Sequence, residues 1–142
     1  STPFEAEGNR IYDFEDLLSA SDSTAINDLL LRQERYSGLI MIFLSSEAKE
    51  GHEDMQSYVL HVADSMALGS HGGPNDISLR ISAARGENCI SLRPYVYSFL
   101  IEDEDCQIIR EEHIRPKCKD EEYAKAAYVG FKLSIDRIGI KY

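Results

Sequence analysis

The stretch Leu39-Ile40-Met41-Ile42-Phe43-Leu44 is the longest apolar run in the chain and decides where the sheet has its centre. Six consecutive apolar residues have the length of a strand, and such strands are usually buried on both faces of a sheet. The run is much shorter than the roughly 20 residues that a membrane-spanning helix requires. We therefore predict that it forms the central strand of the core.

Two short helices are predicted before this strand. Asp13 can cap the first helix, and Asp22 or Ser23 can cap the second, because short polar side chains satisfy the free amides of a first helical turn. Ser37-Gly38 is predicted to end the second helix. Its buried stripe consists of Ile26, Leu29 and Leu30.

A long amphipathic helix is predicted after the strand. Residues 45–51 are polar and form a turn, and apolar side chains then recur at helical spacing as far as a stop at Gly69. These side chains are Met55, Tyr58, Val59, Val62 and Met66. The helix is expected to pack on the sheet.

Beyond residue 77 the apolar residues alternate with polar ones, which is typical of strands with one buried face. Strands are predicted over residues 77–83, 89–101 with an interruption at Pro94, 107–114 and 129–135. Helices in the first part and an antiparallel meander in the second predict an α+β fold. We expect a single domain over residues 1–142, with a mostly antiparallel sheet of about five strands.

An acidic hairpin tip is predicted at Glu102-Asp103-Glu104-Asp105, between strands 95–101 and 107–114. A rigid hairpin can present its carboxylates to arginine or lysine side chains of a partner, with Tyr95 and Tyr97 as aromatic anchors. A charged turn also discourages edge-to-edge aggregation of strands. The stretch is therefore compatible with partner binding and with a purely structural role.

The three cysteines allow more than one arrangement. If Ile101 faces Cys106 across the tip, facing positions sum to 207, and Cys89 and Cys118 satisfy that sum. Facing residues of an antiparallel pair have Cα atoms about 4.5–5.5 Å apart, which suits a disulfide. We predict a Cys89–Cys118 bridge with Cys106 free. A bend after Ile109 would instead allow Cys106–Cys118, and three reduced thiols are the third alternative.

The formal net charge of −10 is unevenly distributed. Residues 1–60 carry 12 acidic and 4 basic side chains, whereas residues 61–142 carry 13 and 11. This predicts a negative face in the first part, which disfavours nucleic acid and anionic membrane surfaces as partners. A basic protein partner is electrostatically favourable, although excess charge also serves solubility alone.

No specific catalytic, nucleotide-binding or cofactor motif is present, and we predict no metal site and no cofactor. There is no C-x-x-C pair for zinc or dithiol redox chemistry. The loop at Ser70-His71 holds the residue types of a hydrolase but no nucleophile motif around them.

The sequence alone favours a non-enzymatic acidic binding protein, of the inhibitor or immunity type, that neutralises a basic protein partner. Its binding residues would be the acidic tip with Tyr95 and Tyr97. A disulfide would favour a periplasmic or secreted location. The alternatives are an acidic cytosolic chaperone or adaptor for a secreted protein, and a small hydrolase that uses Ser70 and His71.

Overall fold

In the part of the chain that the structure describes, helices pack on a mixed four-stranded sheet. The computed structural model describes residues 8–38, 40–45, 77–81, 90–94 and 101–139, and of residues 77–81 and 90–94 it describes the backbone. The strands are β1 (Ile11–Asp13), β2 (Met41–Ser45), β3 (Ile77–Ile81) and β4 (Ile90–Pro94). The helices are α1 (Ala20–Ser37), α2 (Asp103–Ile109), α3 (Arg115–Lys119) and α4 (Tyr123–Ile138), and a π-helical turn (Arg110–Ile114) joins α2 to α3.

The sheet has the strand order β1-β2-β3-β4. The pairings β1–β2 and β2–β3 are parallel, and β3–β4 is antiparallel. The prediction of a mostly antiparallel sheet of about five strands is therefore wrong. Among the described residues the sheet has four strands, and the predicted strands over residues 107–114 and 129–135 are helical.

The central strand is confirmed. β2 lies between β1 and β3, and all five of its residues are buried. Met41 and Phe43 face the cluster formed by α1 and the C-terminal helices, whereas Ile42 and Leu44 lie on the opposite face and are also buried. A continuous apolar run has no polar face to offer to water, which is why it occupies this position.

Helix α1 is confirmed with a different start. Ile26, Leu29 and Leu30 are buried, and Gly38 ends the helix in the left-handed conformation with φ 77°. The cap is Ser19, whose side chain accepts a hydrogen bond from the amide of Asp22, so the predicted caps Asp22 and Ser23 lie inside the helix. The predicted helix after Asp13 is not formed. The long helix predicted to end at Gly69 lies outside the described residues.

The region after residue 101 is helical because burial there follows a helical period. Cys106 and Ile109 are buried on α2, and Ile114 is buried at the end of the π-helical turn. The acidic residues of the predicted tip lie at the start of α2, where negative charge favourably meets the helix dipole. The predicted hairpin is therefore replaced by a helix N-terminus.

The π-helical turn has a local cause in Pro116, the second residue of α3. Proline has no amide hydrogen and its ring clashes with the carbonyl four residues earlier, so a regular α-helical bond cannot form there. The amide of Arg115 instead donates to the carbonyl of Arg110, five residues back. The helix widens for one turn and then continues.

Helix α4 occupies residues for which the sequence predicts a strand, because its apolar residues also alternate. Val129, Phe131, Leu133 and Ile135 fit a strand, but the buried positions repeat every three or four residues. The buried residues are Ala126, Ala127, Gly130, Phe131, Ser134 and Ile135. In the described part of the chain, no helix is both long and apolar enough to cross a membrane.

Candidate functional site

Three parallel strands end at one edge of the sheet. β1 ends at Asp13, β2 at Ser45 and β3 at Ile81, and these residues are register partners across the sheet. Sheets of parallel strands commonly bind ligands beyond the carboxyl ends of their strands, where loops bring together residues distant in sequence. Asp13, Glu15, Asp16 and Ser45 lie at this edge, and we call them the carboxyl-edge site.

A hydrogen-bond network connects the ends of β1 and β2. The buried hydroxyl of Ser45 donates to Oδ1 of Asp13 at 2.6 Å and accepts from the amide of Glu15 at 3.0 Å. Asp13 also accepts from the amides of Leu17 at 2.9 Å and Leu18 at 2.8 Å. Both carboxylate oxygens of Asp13 are thus engaged, and they hold the loop after β1 in one shape.

This loop presents Asp16 to solvent. The amide of Asp16 donates to the carbonyl of Asp13 at 3.3 Å, and its backbone has a φ of 53°. Left-handed backbone is unfavourable for most side chains and is tolerated best by glycine, asparagine and aspartate. Asp16 is therefore suited to its turn, and its carboxylate is exposed while Glu15 is half-buried.

The turn between α3 and α4 contributes further groups near this edge. Burial raises the pKa of Tyr123, and Glu121, Cys118 and Glu15 raise it further, which places these groups close to the phenol. Burial also raises the pKa of Cys118 to about 11, and Arg115 opposes this rise. Glu121 adopts a left-handed φ of 58°.

The carboxyl edge is predominantly anionic. It carries the carboxylates of Asp13, Glu15 and Asp16, and Glu121 is close enough to act on the same tyrosine. Within the residues that the structure describes, no three histidine, cysteine or carboxylate side chains are placed together to hold a metal ion. A phosphate group would be repelled here unless a cation accompanied it.

A protein-family model matches most of the chain. The model of the TPM domain family, named TPM phosphatase, matches residues 11–137. The chain belongs to the TPM domain family. The match begins in β1 and ends in α4, so it includes the whole carboxyl-edge site. No curated protein matches the chain.

Solved structures show the same fold for this TPM domain. It resembles the N-terminal domain of a protein from P. gingivalis, with a TM-score of 0.74, 18% identity, and 94% of this chain and 86% of the other covered. The N-terminal domain of the cg2496 protein from Corynebacterium glutamicum gives a TM-score of 0.65 at 14% identity, covering 95% and 82%. The BA42 protein from Bizionia argentinensis gives 0.70 at 12% identity, covering 88% and 83%.

The TPM domain places the acidic stretch differently from the sequence-based prediction. Glu102, Asp103 and Glu104 are exposed at the start of α2. Asp105 accepts from Nε of Arg137 at 2.8 Å and from the amide of Glu102 at 3.2 Å. The stretch therefore begins a helix and ties it to α4. Its role in partner binding stays a prediction, and Tyr95, Tyr97, Ser70 and His71 lie outside the described residues.

The cysteine prediction loses its geometric basis. The register that paired Cys89 with Cys118 assumed a ladder through residues 102–105, and these residues begin a helix. Cys106 is buried and Cys118 is half-buried, and within the described residues neither forms a disulfide. Cys89 lies outside the described residues.

The sequence interpretation missed the carboxyl-edge site. The sequence pattern predicts Asp13 only as a helix cap and Ser45 as part of a polar turn. The signal available in the sequence is that both residues follow apolar strand residues directly, Tyr12 and Leu44. Because the parallel pairing of β1 and β2 was not predicted, nothing brought the two strand ends together.

Proposed function

We propose that this TPM domain hydrolyses phosphate monoesters at the carboxyl-edge site. The observation that carries the proposal is the match of the TPM phosphatase model over residues 11–137, which contains all four residues of the site. The sequence alone favours a non-enzymatic protein, whereas the name of the family favours an enzyme. The carboxyl ends of the parallel strands form an edge at which such a substrate would bind.

The proposed roles follow from exposure and hydrogen bonding. Asp13 and Ser45 are positioning residues, because their polar atoms hold the loop after β1. Asp16 is the exposed carboxylate of that loop and would accept the proton of the attacking water. In the reaction, the water oxygen forms a bond to phosphorus and the ester P–O bond breaks. Asp16 then passes the proton that it took from the water to the leaving oxygen, directly or through solvent, which gives the alcohol and restores the carboxylate.

A phosphate dianion and an acidic edge require a bridging cation. Mg²⁺ is commonly bound through one or two carboxylates together with oxygens of the substrate phosphate and waters. Glu15 and Asp16 could supply such carboxylates in the presence of substrate. Activity is therefore expected to depend on an added divalent cation.

The test is hydrolysis of p-nitrophenyl phosphate by the purified chain, with Mg²⁺ or with EDTA. Asp16→Asn is expected to lower kcat by about a hundredfold or more, because a general base contributes that much. Asparagine tolerates the left-handed backbone, so the turn is retained. Asp28→Asn, at an exposed position on α1, is the matched control and keeps full activity. Absence of hydrolysis with every divalent cation tried, or full activity in Asp16→Asn, would reject the proposal.

A second candidate is the binding of a basic protein partner, which the exposed face of α2 favours. Ile108 is 45% exposed and follows Glu104 by one helical turn, so an apolar side chain lies beside an exposed carboxylate. The adjacent groove between α2 and α4 has a volume of about 520 Å³ and includes Ile109, Leu133 and Asp136. A cationic segment with an apolar anchor complements this surface.

A synthetic peptide of alternating lysines and leucines is the probe for this second candidate. Its affinity is expected to fall as salt rises from 50 to 200 mM, because exposed charges are screened. Glu104→Gln combined with Ile108→Ser should weaken binding, and Asp28→Asn should not. If the unchanged chain, the double variant and Asp28→Asn all bound the peptide with equal affinity, α2 would not be the binding surface.

A further inference from the structure

A further groove lies between α1 and α4, and none of its lining residues belongs to the carboxyl-edge site or to the groove between α2 and α4. Asp22 and Ala25 border it on α1, Lys117 on α3, and Ala124 and Lys125 on α4. Its volume is about 370 Å³, which falls within the usual range for small-molecule pockets. The groove can therefore hold a compact ligand.

The walls of the groove are apolar and contain an aromatic ring. Ala25, Ala124 and Val129 are small and leave room between the helices. Tyr128 also lines the groove and is 46% exposed, so much of its side chain is accessible from solvent. A flat ring of a ligand can pack against that of Tyr128.

Two lysines from different helices reach this groove in a chain whose net charge is −10. The Nζ atom of Lys125 pairs with Oε2 of Glu122 at 2.7 Å. The hydrogen bond from Lys125 lowers the pKa of Glu122, and the charge of Lys117 lowers it further, so both cations are near this carboxylate. Glu122 is thus the anion that pairs with Lys125, one of the two lysines that line the groove.

The remaining charge at the groove is Asp22, in the first turn of α1. The positive end of the α1 dipole offsets part of its charge. Lys117 and Lys125 therefore leave the groove more favourable to an anion than the surrounding acidic surface.

We propose that the α1–α4 groove binds an aromatic phosphate, with its ring beside Tyr128 and its phosphate on Lys117 and Lys125 in place of Glu122. The proposal does not depend on hydrolysis at the carboxyl-edge site. The ring would fill the apolar part of the groove. The phosphate would replace the carboxylate of Glu122, and because it carries two negative charges it would attract the two lysines more strongly than one carboxylate does.

Phenylphosphonate is the probe, because it resembles an aromatic phosphate and cannot be hydrolysed. In a ¹H–¹⁵N NMR titration of the full chain, we expect the largest shifts in residues 22–26 and 124–129. Glu122→Gln should lower the Kd for phenylphosphonate by about tenfold, because Lys125 loses its competing carboxylate. Lys117→Gln should raise this Kd by about the same factor, because one of the two cations is removed. Lys132→Gln, on α4 and paired with Asp136, is the matched control and should change nothing.

Ala25→Leu distinguishes binding inside the groove from attraction by the lysine charges alone. Leucine is compatible with an exposed helix position and fills the groove, so the chain folds and phenylphosphonate binding is lost. Inorganic phosphate bound as tightly as phenylphosphonate, shifts located elsewhere, or an unchanged affinity in Glu122→Gln would each overturn the proposal. Because the phosphonate is inert, these results are independent of whether p-nitrophenyl phosphate is hydrolysed.

Discussion

Ser45 is the residue on which the carboxyl edge depends most directly. Its hydroxyl is buried, donates to Asp13 and accepts from the amide of Glu15, so one side chain joins the end of β2 to the loop after β1. A buried polar atom that loses its partner costs more than the bond itself contributes. The geometry of the loop therefore rests on a few hydrogen bonds between residues distant in sequence.

Ser45→Ala is expected to lower the free energy of unfolding by about 1–3 kcal/mol, because the amide of Glu15 and one oxygen of Asp13 lose a buried partner. Urea denaturation followed by circular dichroism measures this change. Ser134→Ala is the matched control, since the buried hydroxyl of Ser134 donates to the carbonyl of Gly130 in its own helix. The control is expected to change stability by about 0.5 kcal/mol or less. Equal losses in the two variants would show that the hydrogen bonds of Ser45 contribute no more to stability than the one that Ser134 makes within its own helix.

Cys118 is expected to react slowly with iodoacetamide in the folded chain. Burial raises its pKa from an ordinary 9.0 to about 11, so at pH 8 its thiolate fraction is about a hundredfold lower than in the unfolded chain. Peptide mass spectrometry gives the labelling rate of each cysteine separately. Labelling that is equally fast in native and urea-unfolded protein would contradict the buried position.

The raised pKa of Cys118 also has a consequence for stability. The folded state favours the neutral thiol, so its contribution is fully present below pH 9 and is lost as the pH rises toward about 11. Cys118→Ala should therefore show a shallower loss of stability between pH 9 and 11 than the unchanged chain. Identical slopes would mean that the thiol ionises equally in both states.

At the scale of elements, the helix ends are set by particular side chains. Ser19 begins α1, Gly38 ends it, and Pro116 causes the π-helical turn. Ile109 and His113, four residues apart, both line the groove beside α4. A single proline thus changes the backbone hydrogen bonding of this helix for one turn.

Ser19→Ala is expected to cost about 1 kcal/mol of folding stability, because the amide of Asp22 loses its hydrogen bond to the serine oxygen. Ser23→Ala should change stability by about 0.5 kcal/mol at most, since alanine is favourable inside a helix. Urea denaturation of both variants measures the difference. A larger loss for Ser23→Ala would place the start of α1 at the position predicted from sequence.

At the scale of the whole molecule, one hydrophobic cluster joins α1, β2 and the C-terminal helices. Ile26 of α1, Phe43 of β2 and Phe131 of α4 belong to it, and each is at most 2% exposed. Elements that share a core in this way are expected to unfold together.

Ile26→Val and Ile135→Val are each expected to lower the free energy of unfolding by about 0.5–1.5 kcal/mol, since each removes one buried methylene. Circular dichroism and tyrosine fluorescence, available because the chain has 8 tyrosines and no tryptophan, should give the same urea midpoint in each variant. Separate midpoints for the two probes would show that α1 and α4 unfold independently.

Local sequence determined the central strand and the buried stripe of α1, because a continuous apolar run and a helical period are visible within one segment. Tertiary structure decided that β1 and β2 pair in parallel and that the acidic stretch 102–105 begins a helix. Short apolar patterns such as Val129 to Ile135 fit both a strand and a helix, and only the neighbours that bury them choose between the two. The carboxyl-edge site belongs to this second class, since Asp13 and Ser45 are 32 residues apart and meet only when the sheet forms.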